Sequence, residues 1–171
     1  GSRGGEDRAT GVYPLEDGDF LLVGGGDVNY SNNGYHRFSA KRISVSGSTE
    51  TSFNHDLGDN HKVKRSLELP DGKILMVGRL DGDFLISRVH RDGSLDTSFG
   101  DSGKTRIPVL NGDDLAQGVS LQPDGKILTA GHSNTDFRVS RYHPDGTRDQ
   151  NFSFNAGSRG GEDRATGVYP L

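Results

Sequence analysis

Apolar residues in this chain come in short alternating runs of valine, isoleucine, leucine and phenylalanine, and glycine and aspartate separate the runs. That pattern predicts short, half-buried β-strands joined by tight turns. The runs also recur. "GVYPLEDGDFLLVGG" from Gly11, "SLELPDGKILMVGR" from Ser66 and "VSLQPDGKILTAGH" from Val119 superpose, and their turn aspartates Asp17, Asp71 and Asp124 are spaced by 54 and 53 residues. A second set comes after each of these: "RFSAKRISVSGSTETSFN" from Arg37, "DFLISRVHRDGSLDTSFG" from Asp83 and "DFRVSRYHPDGTRDQNFS" from Asp136.

Each copy therefore carries two hairpin signals. In the first, an Asp-Gly pair between apolar runs is the composition of a tight turn whose two central residues both take positive φ. The second, at Ser46-Gly47, Asp92-Gly93 and Asp145-Gly146, is expected to join a third strand to a fourth beginning near Phe53, Phe99 or Phe152. Four strands per unit result. The units are expected at 1–62, 63–114 and 115–163, with 164–171 as the first strand of a further one.

A lone four-stranded meander leaves its edges and faces unsatisfied and must pack on neighbours. Repeated four-stranded sheets of this length are the pattern of β-propeller blades stacked around an axis; a right-handed superhelix of blades is the less common alternative. The expected fold class is all-β, with tandem four-stranded antiparallel propeller-type blades. Rings need about four blades or more, so three are expected to be completed by oligomerisation or by further modules.

"LQPDGKILTAG" followed by "RVSRYHPDGT", together with "RVHRDGSLDTSFGDSG", resembles the delta-60 repeat, a tandem unit of bacterial, largely extracellular proteins of propeller type. The resemblance covers essentially the whole chain. It implies a propeller-type fold and an extracellular or cell-surface location, and it brings no catalytic residue or ligand with it. The first unit departs most: "LEDGDFLLVGGG" lacks the Pro-Asp-Gly-Lys core and "SVSGSTETSFN" lacks the second Asp-Gly, so altered turns are expected there.

Residues 1–15, "GSRGGEDRATGVYPL", recur without change as residues 157–171, an offset of 156 that equals three units of about 52. The three units differ far more from one another. Near-identical tandem modules are one reading and an engineered overlap is the other. In either case the repeated "ATGVYPL" strand is one that can pair into a neighbour's open edge, giving a ring of several chains or an open filament. The first expected partner is thus the chain itself, as a homo-oligomer or tandem modules exchanging the duplicated ends. A surface glycan or protein is the second.

Composition narrows the classes further. With 20 basic and 24 acidic residues interspersed, the net charge of -4 offers no basic stripe for nucleic acid. No apolar run nears the roughly 18–20 residues of a membrane span, and residue 1 begins no signal peptide. Cysteine is absent, so packing and sheet hydrogen bonds must supply stability.

The most regular polar columns are Arg42, Arg88 and Arg141, each followed eight residues later by Glu50, Asp96 or Asp149. Spacing of eight across a hairpin brings such side chains together, and structural ion pairs at strand ends are expected; a ligand site repeated in each blade is the alternative. Phe38, Phe84 and Phe137, with Phe53, Phe99 and Phe152, are expected in the inter-blade core. Gly24, Gly78 and Gly131 are expected at the end of each second strand, where the backbone turns or a neighbouring blade approaches.

His90 and His143 share a column, but Ser44 takes it in the first unit, which speaks against a metal ligand. His36, His55, His61 and His132 are expected in surface loops. "GGGD" at Gly24–Asp27 lacks the Lys-Ser/Thr of a phosphate loop, and the acidic clusters Asp56–Asp59 and Asn111–Asp114 match no EF-hand. No catalytic, cofactor-binding or metal residue is assigned, and no cofactor is expected. A non-enzymatic structural or binding protein at a bacterial surface is the expected function, with self-assembly as the principal rival. A propeller hydrolase or lyase would instead gather acidic and histidine residues at the mouth of a central channel, and no Gly-x-Ser-x-Gly elbow or nucleophile–base pair is present.

Overall fold

A computed structural model describes residues 8–27, 36–55, 61–107, 114–133, 136–152 and 154–156. Their strands form three four-stranded antiparallel meanders. The first blade holds β1 (Arg8–Pro14), β2 (Phe20–Asp27), β3 (His36–Ile43) and β4 (Thr49–His55). The second holds β5 (His61–Glu68), β6 (Ile74–Leu80), β7 (Asp83–Val89) and β8 (Lys104–Ile107). The third holds β9 (Asp114–Leu121), β10 (Ile127–Ser133), β11 (Asp136–Tyr142) and β12 (Phe154–Ala156). Both β5 and β9 start slightly before the unit boundaries expected from sequence, and 164–171 lie outside the described residues.

Strand alternation sorts each blade into two faces. On β6, Ile74, Met76 and Leu80 join Leu21, Val23, Phe38 and Ala40 of the first blade in one core. The intervening Leu75 and Val77 join Phe84, Ile86, Phe99 and Ile107 in a second core with Ala116, Ile127 and Tyr142 of the third blade. Every residue from Ile74 to Val77 is fully buried. The middle blade is thus apolar on both faces because a neighbour covers each, as strands buried on both sides require. Burial also pushes the Tyr142 phenol up to about 12.

The turns differ from the two-residue form expected. Leu69 N donates to Lys73 O at 2.8 Å and Gly72 N to Leu69 O at 2.9 Å, so the loop has three residues, Pro70-Asp71-Gly72, and only Gly72 has positive φ. Proline pre-sets the first position of a type I turn, and glycine takes the left-handed position after it. The Asp71 carboxylate accepts from Lys73 N at 3.1 Å. The same loop closes Leu15–Asp19, Ser44–Ser48, His90–Ser94, Gln122–Lys126 and His143–Thr147. In the first blade Ser46 replaces the aspartate, and Ser44 Oγ accepts from Ser48 N at 3.2 Å instead. The backbone turn is unaltered. A turn with two positive φ values does occur, at Asp81-Gly82 between β6 and β7.

The glycine column has a different cause from the one expected. Gly24, Gly78 and Gly131 lie within β2, β6 and β10, and each faces a β-bulge in the first strand of its own blade. A Cβ on Gly78 would stand 1.7 Å from the Lys62 carbonyl oxygen, and one on Gly131 would stand 2.0 Å from that of Leu115. The bulged strand bends its carbonyl over the glycine, leaving no room for a side chain.

Candidate functional site

Strands do not run directly from the second turn into the fourth strand in the later blades. Asp96-Thr97-Ser98-Phe99 folds first into its own turn: Asp96 Oδ1 accepts from Ser98 N at 3.1 Å and from Ser98 Oγ at 2.5 Å, and Phe99 N donates to Asp96 O at 3.1 Å. β8 therefore starts at Lys104, after Phe99, and β12 starts at Phe154, after Phe152; in the first blade β4 already starts at Thr49 and includes Phe53.

This turn assembles a latch. Arg88 Nε donates to Asp96 Oδ2 at 2.7 Å, and the guanidinium lies 4.6 Å above the Phe99 ring. The third blade repeats it with Arg141 and Asp149 at 2.9 Å and the Phe152 ring at 4.5 Å. Lys73 Nζ also reaches Asp96, at 2.9 Å. Burial pushes the Asp96 carboxyl up, but hydrogen bonds from Ser98, Lys73 and Arg88 outweigh it and hold the group well below the usual carboxylate range. Arginine suits the place because its planar fork can pair, donate elsewhere and stack on a ring at once. The stacking was not foreseen from sequence, although its signal, phenylalanine three residues after the acid, stands in the chain.

The first blade is wired differently. Arg42 Nε donates to Asp19 Oδ2 at 2.8 Å, and Arg42 also pairs with Asp17. Asp19 occupies the column of Lys73 and Lys126, so there the preceding hairpin supplies a carboxylate. The side chains of Glu50 and Phe53 lie outside the described residues.

The latch of the second blade grips the third. Three consecutive carbonyls of the third blade's second turn are bound: Pro144 O by Arg88 Nη1 at 2.8 Å, Asp145 O by Gly100 N at 2.7 Å and Gly146 O by Thr105 Oγ1 at 2.6 Å. A Cβ on Gly146 would meet Phe99 Cζ at 2.8 Å, so the turn is seated against the ring. The seam between the first two blades is held by Tyr13 Oη to Ser66 Oγ at 2.7 Å and by Arg91 Nη2 to Pro14 O at 2.6 Å. Phe38 and Phe84 lie in the two cores, whereas Phe137 is half-buried and packs edge-on against Phe154, with ring centres 6.0 Å apart.

The histidines and acidic clusters take other places. His132 is on β10, with Nδ1 3.0 Å from Gln117 Nε2, and His36, His55 and His61 also lie on strands rather than in loops, because the alternating runs extend through them. Asp114 starts β9 and is buried; Asp56–Asp59 and Asn111–Asp113 lie outside the described residues. Among the described residues no three His, Cys, Asp or Glu side chains are gathered as metal ligands, and no helix is long and apolar enough to cross a membrane. A cleft of about 520 Å³ opens between the second and third blades, lined by Asp81, Asp101, Lys104, Thr105, Arg106 and Thr147. Arg106 is held there by Asp83 at 2.6 Å.

Three stacked meanders with an apolar core between each pair define an all-β protein of tandem propeller-type blades. A family model described as "Domain of unknown function (DUF5122) beta-propeller" matches residues 69–99 and 122–152, the stretches from first turn to latch in the second and third blades. A crystal structure of a protein of unknown function from Bacteroides caccae is similar in fold, with a TM-score of 0.52 at 15% identity over 91% of this chain. The chain spans 47% of that protein's length. No curated protein matches the sequence.

Proposed function

We propose that the chain is a non-enzymatic scaffold of the delta-60 repeat type, working at a bacterial surface or in the extracellular space, where its blades hold loops and clefts that meet a partner. The observation that carries this reading is the use of the repeated polar columns. Asp96 binds both Arg88 and Lys73, and Arg88 also binds the next blade's turn, so these repeated columns of the second blade serve its packing and its seam with the third. What differs between units is left for recognition, as in other repeat proteins. The cleft beside Lys104 and Arg106 offers donors and acceptors of both signs to a hydroxylated ligand such as a surface glycan.

A glycan array, followed by mass analysis of the captured sugars, tests this. Retention of a subset of sugars with unchanged masses is the expected result. Shortened sugars would contradict the non-enzymatic reading, and silence across the array would remove the binding role and leave the structural one.

A second reading, self-assembly into a multi-chain ring or filament, is favoured by one observation. The segment after the third unit is identical in sequence, over 15 residues, to the segment that opens the first.

A further inference from the structure

Within the chain one interface is used twice. The face formed by Leu21, Val23, Phe38 and Ala40 of the first blade meets the opposite face of the second, and the matching Leu75, Val77, Phe84 and Ile86 meet the opposite face of the third. Each contact is directional, since one blade contributes the face of these columns, the latch face, and its successor the opposite, turn face; the grip of a latch on a turn is made between the second and third blades. Among the described residues, the two end faces carry the halves that no other blade matches.

On the third blade, the same columns are Leu128, Ala130, Phe137 and Val139, with Arg141 and Phe152 of the latch beside them. Leu128 and Ala130 are buried, whereas Phe137, Val139, Arg141 and Phe152 are partly exposed, and the Arg141 side chain is 24% exposed against 10% for Arg88. Phe154 pairs with Val139 as Thr105 pairs with Ile86, which places it in the column that grips Gly146; it is 51% exposed. On the first blade, the turn that would seat in such a latch is Val45-Ser46-Gly47. Val45 is 73% exposed, and a Cβ on Gly47 would meet nothing within 4 Å, whereas its counterpart on Gly146 meets Phe99. Behind that turn Phe20, Leu22 and Ile43 are only partly buried.

Resting on the self-assembly reading, we propose that these two end faces bind each other between copies of the chain: the Val45–Gly47 turn of one copy seats on the Arg141–Phe152 latch of a second. Two observations choose this occupant. The faces are the same columns that already mate twice inside the chain. In sequence, moreover, the third unit is succeeded by an exact copy of the first unit's start, so a blade of the first type is its natural neighbour. Such a contact is heterologous, and it closes into a ring or extends as a filament.

Complementation tests the direction of the contact. Val45→Asp damages the turn face and Phe154→Asp the latch face, and both residues are exposed enough that the single chain keeps its fold, which circular dichroism checks. Analytical ultracentrifugation should show the wild-type chain associating and each variant doing so at least about tenfold more weakly. Mixed, the two variants should form a one-to-one complex, because each supplies the face the other lacks. A wild-type chain that stays monomeric at sub-millimolar concentration overturns both this proposal and the self-assembly reading. Association indifferent to both substitutions, or variants that do not complement, overturns the proposed surface and leaves the self-assembly reading standing.

Discussion

Asp96→Ala should destabilise the chain by about 3 kcal/mol, the scale expected when one partner of a buried ion pair is removed. The Asp96 side chain is 3% exposed and that of Arg88 is 10% exposed, so neither charge has water to replace its partner. The loss also spreads across the seam, because Arg88 is the residue that holds Pro144. Asp149→Ala should cost less, since Arg141 is better hydrated. The effect has a pH signature. A carboxyl held below its ordinary 3.8 contributes stability that is complete above that value and is lost as pH falls toward the folded value. Urea unfolding at neutral pH should therefore separate wild type from Asp96→Ala, and the gap should shrink progressively below about pH 4. A gap that is constant into acid would contradict the assignment of the stability to an ionised Asp96.

Gly78→Ala should cost at least about 3 kcal/mol, at or beyond the usual range for overpacking, because the new methyl meets a backbone oxygen that side-chain motion cannot clear. The Lys62 carbonyl at 1.7 Å would have to move with the bulge that positions it, and that strand packs on the first blade. Gly47→Ala is the natural control. Its φ of +85° is unfavourable for alanine, but the space around it is open, so about 1 kcal/mol is expected. Urea midpoints of the two variants should differ accordingly, and equal losses would mean that the bulge relaxes freely.

Both predictions concern columns visible in the sequence whose physical cause was only partly legible there. The four-stranded blades could be read directly, because period-two apolar runs and regularly placed Asp-Gly pairs leave few other arrangements. The turn type could not, since the same pair serves two-residue and three-residue loops; the discriminating residue is Pro70 or Pro123, whose fixed φ fits a type I turn and not a doubly left-handed one. The glycine column was visible, but its cause depends on the register of the facing strand, where Lys64 is the extra residue of the bulge. Arginine, acid and phenylalanine stood out as separate columns; their union in one latch needs the turn from Asp96 to Phe99, which brings the ring under the guanidinium. In the first blade the exchange of lysine for Asp19 was visible in the chain, and its consequence, a new partner for Arg42, is a matter of reach across the hairpin.

The apolar cores lie between blades, so the middle blade, covered on both faces, should have the greatest stability. Native-state hydrogen exchange, measured on the Val45→Asp chain so that its turn face is blocked, tests this most directly. The amides of β6 and β7, in the blade covered on both faces, should exchange most slowly, and those of β2, β3, β10 and β11 should open at lower free energy. Equal protection in all three blades, or slowest exchange in an end blade, would contradict it.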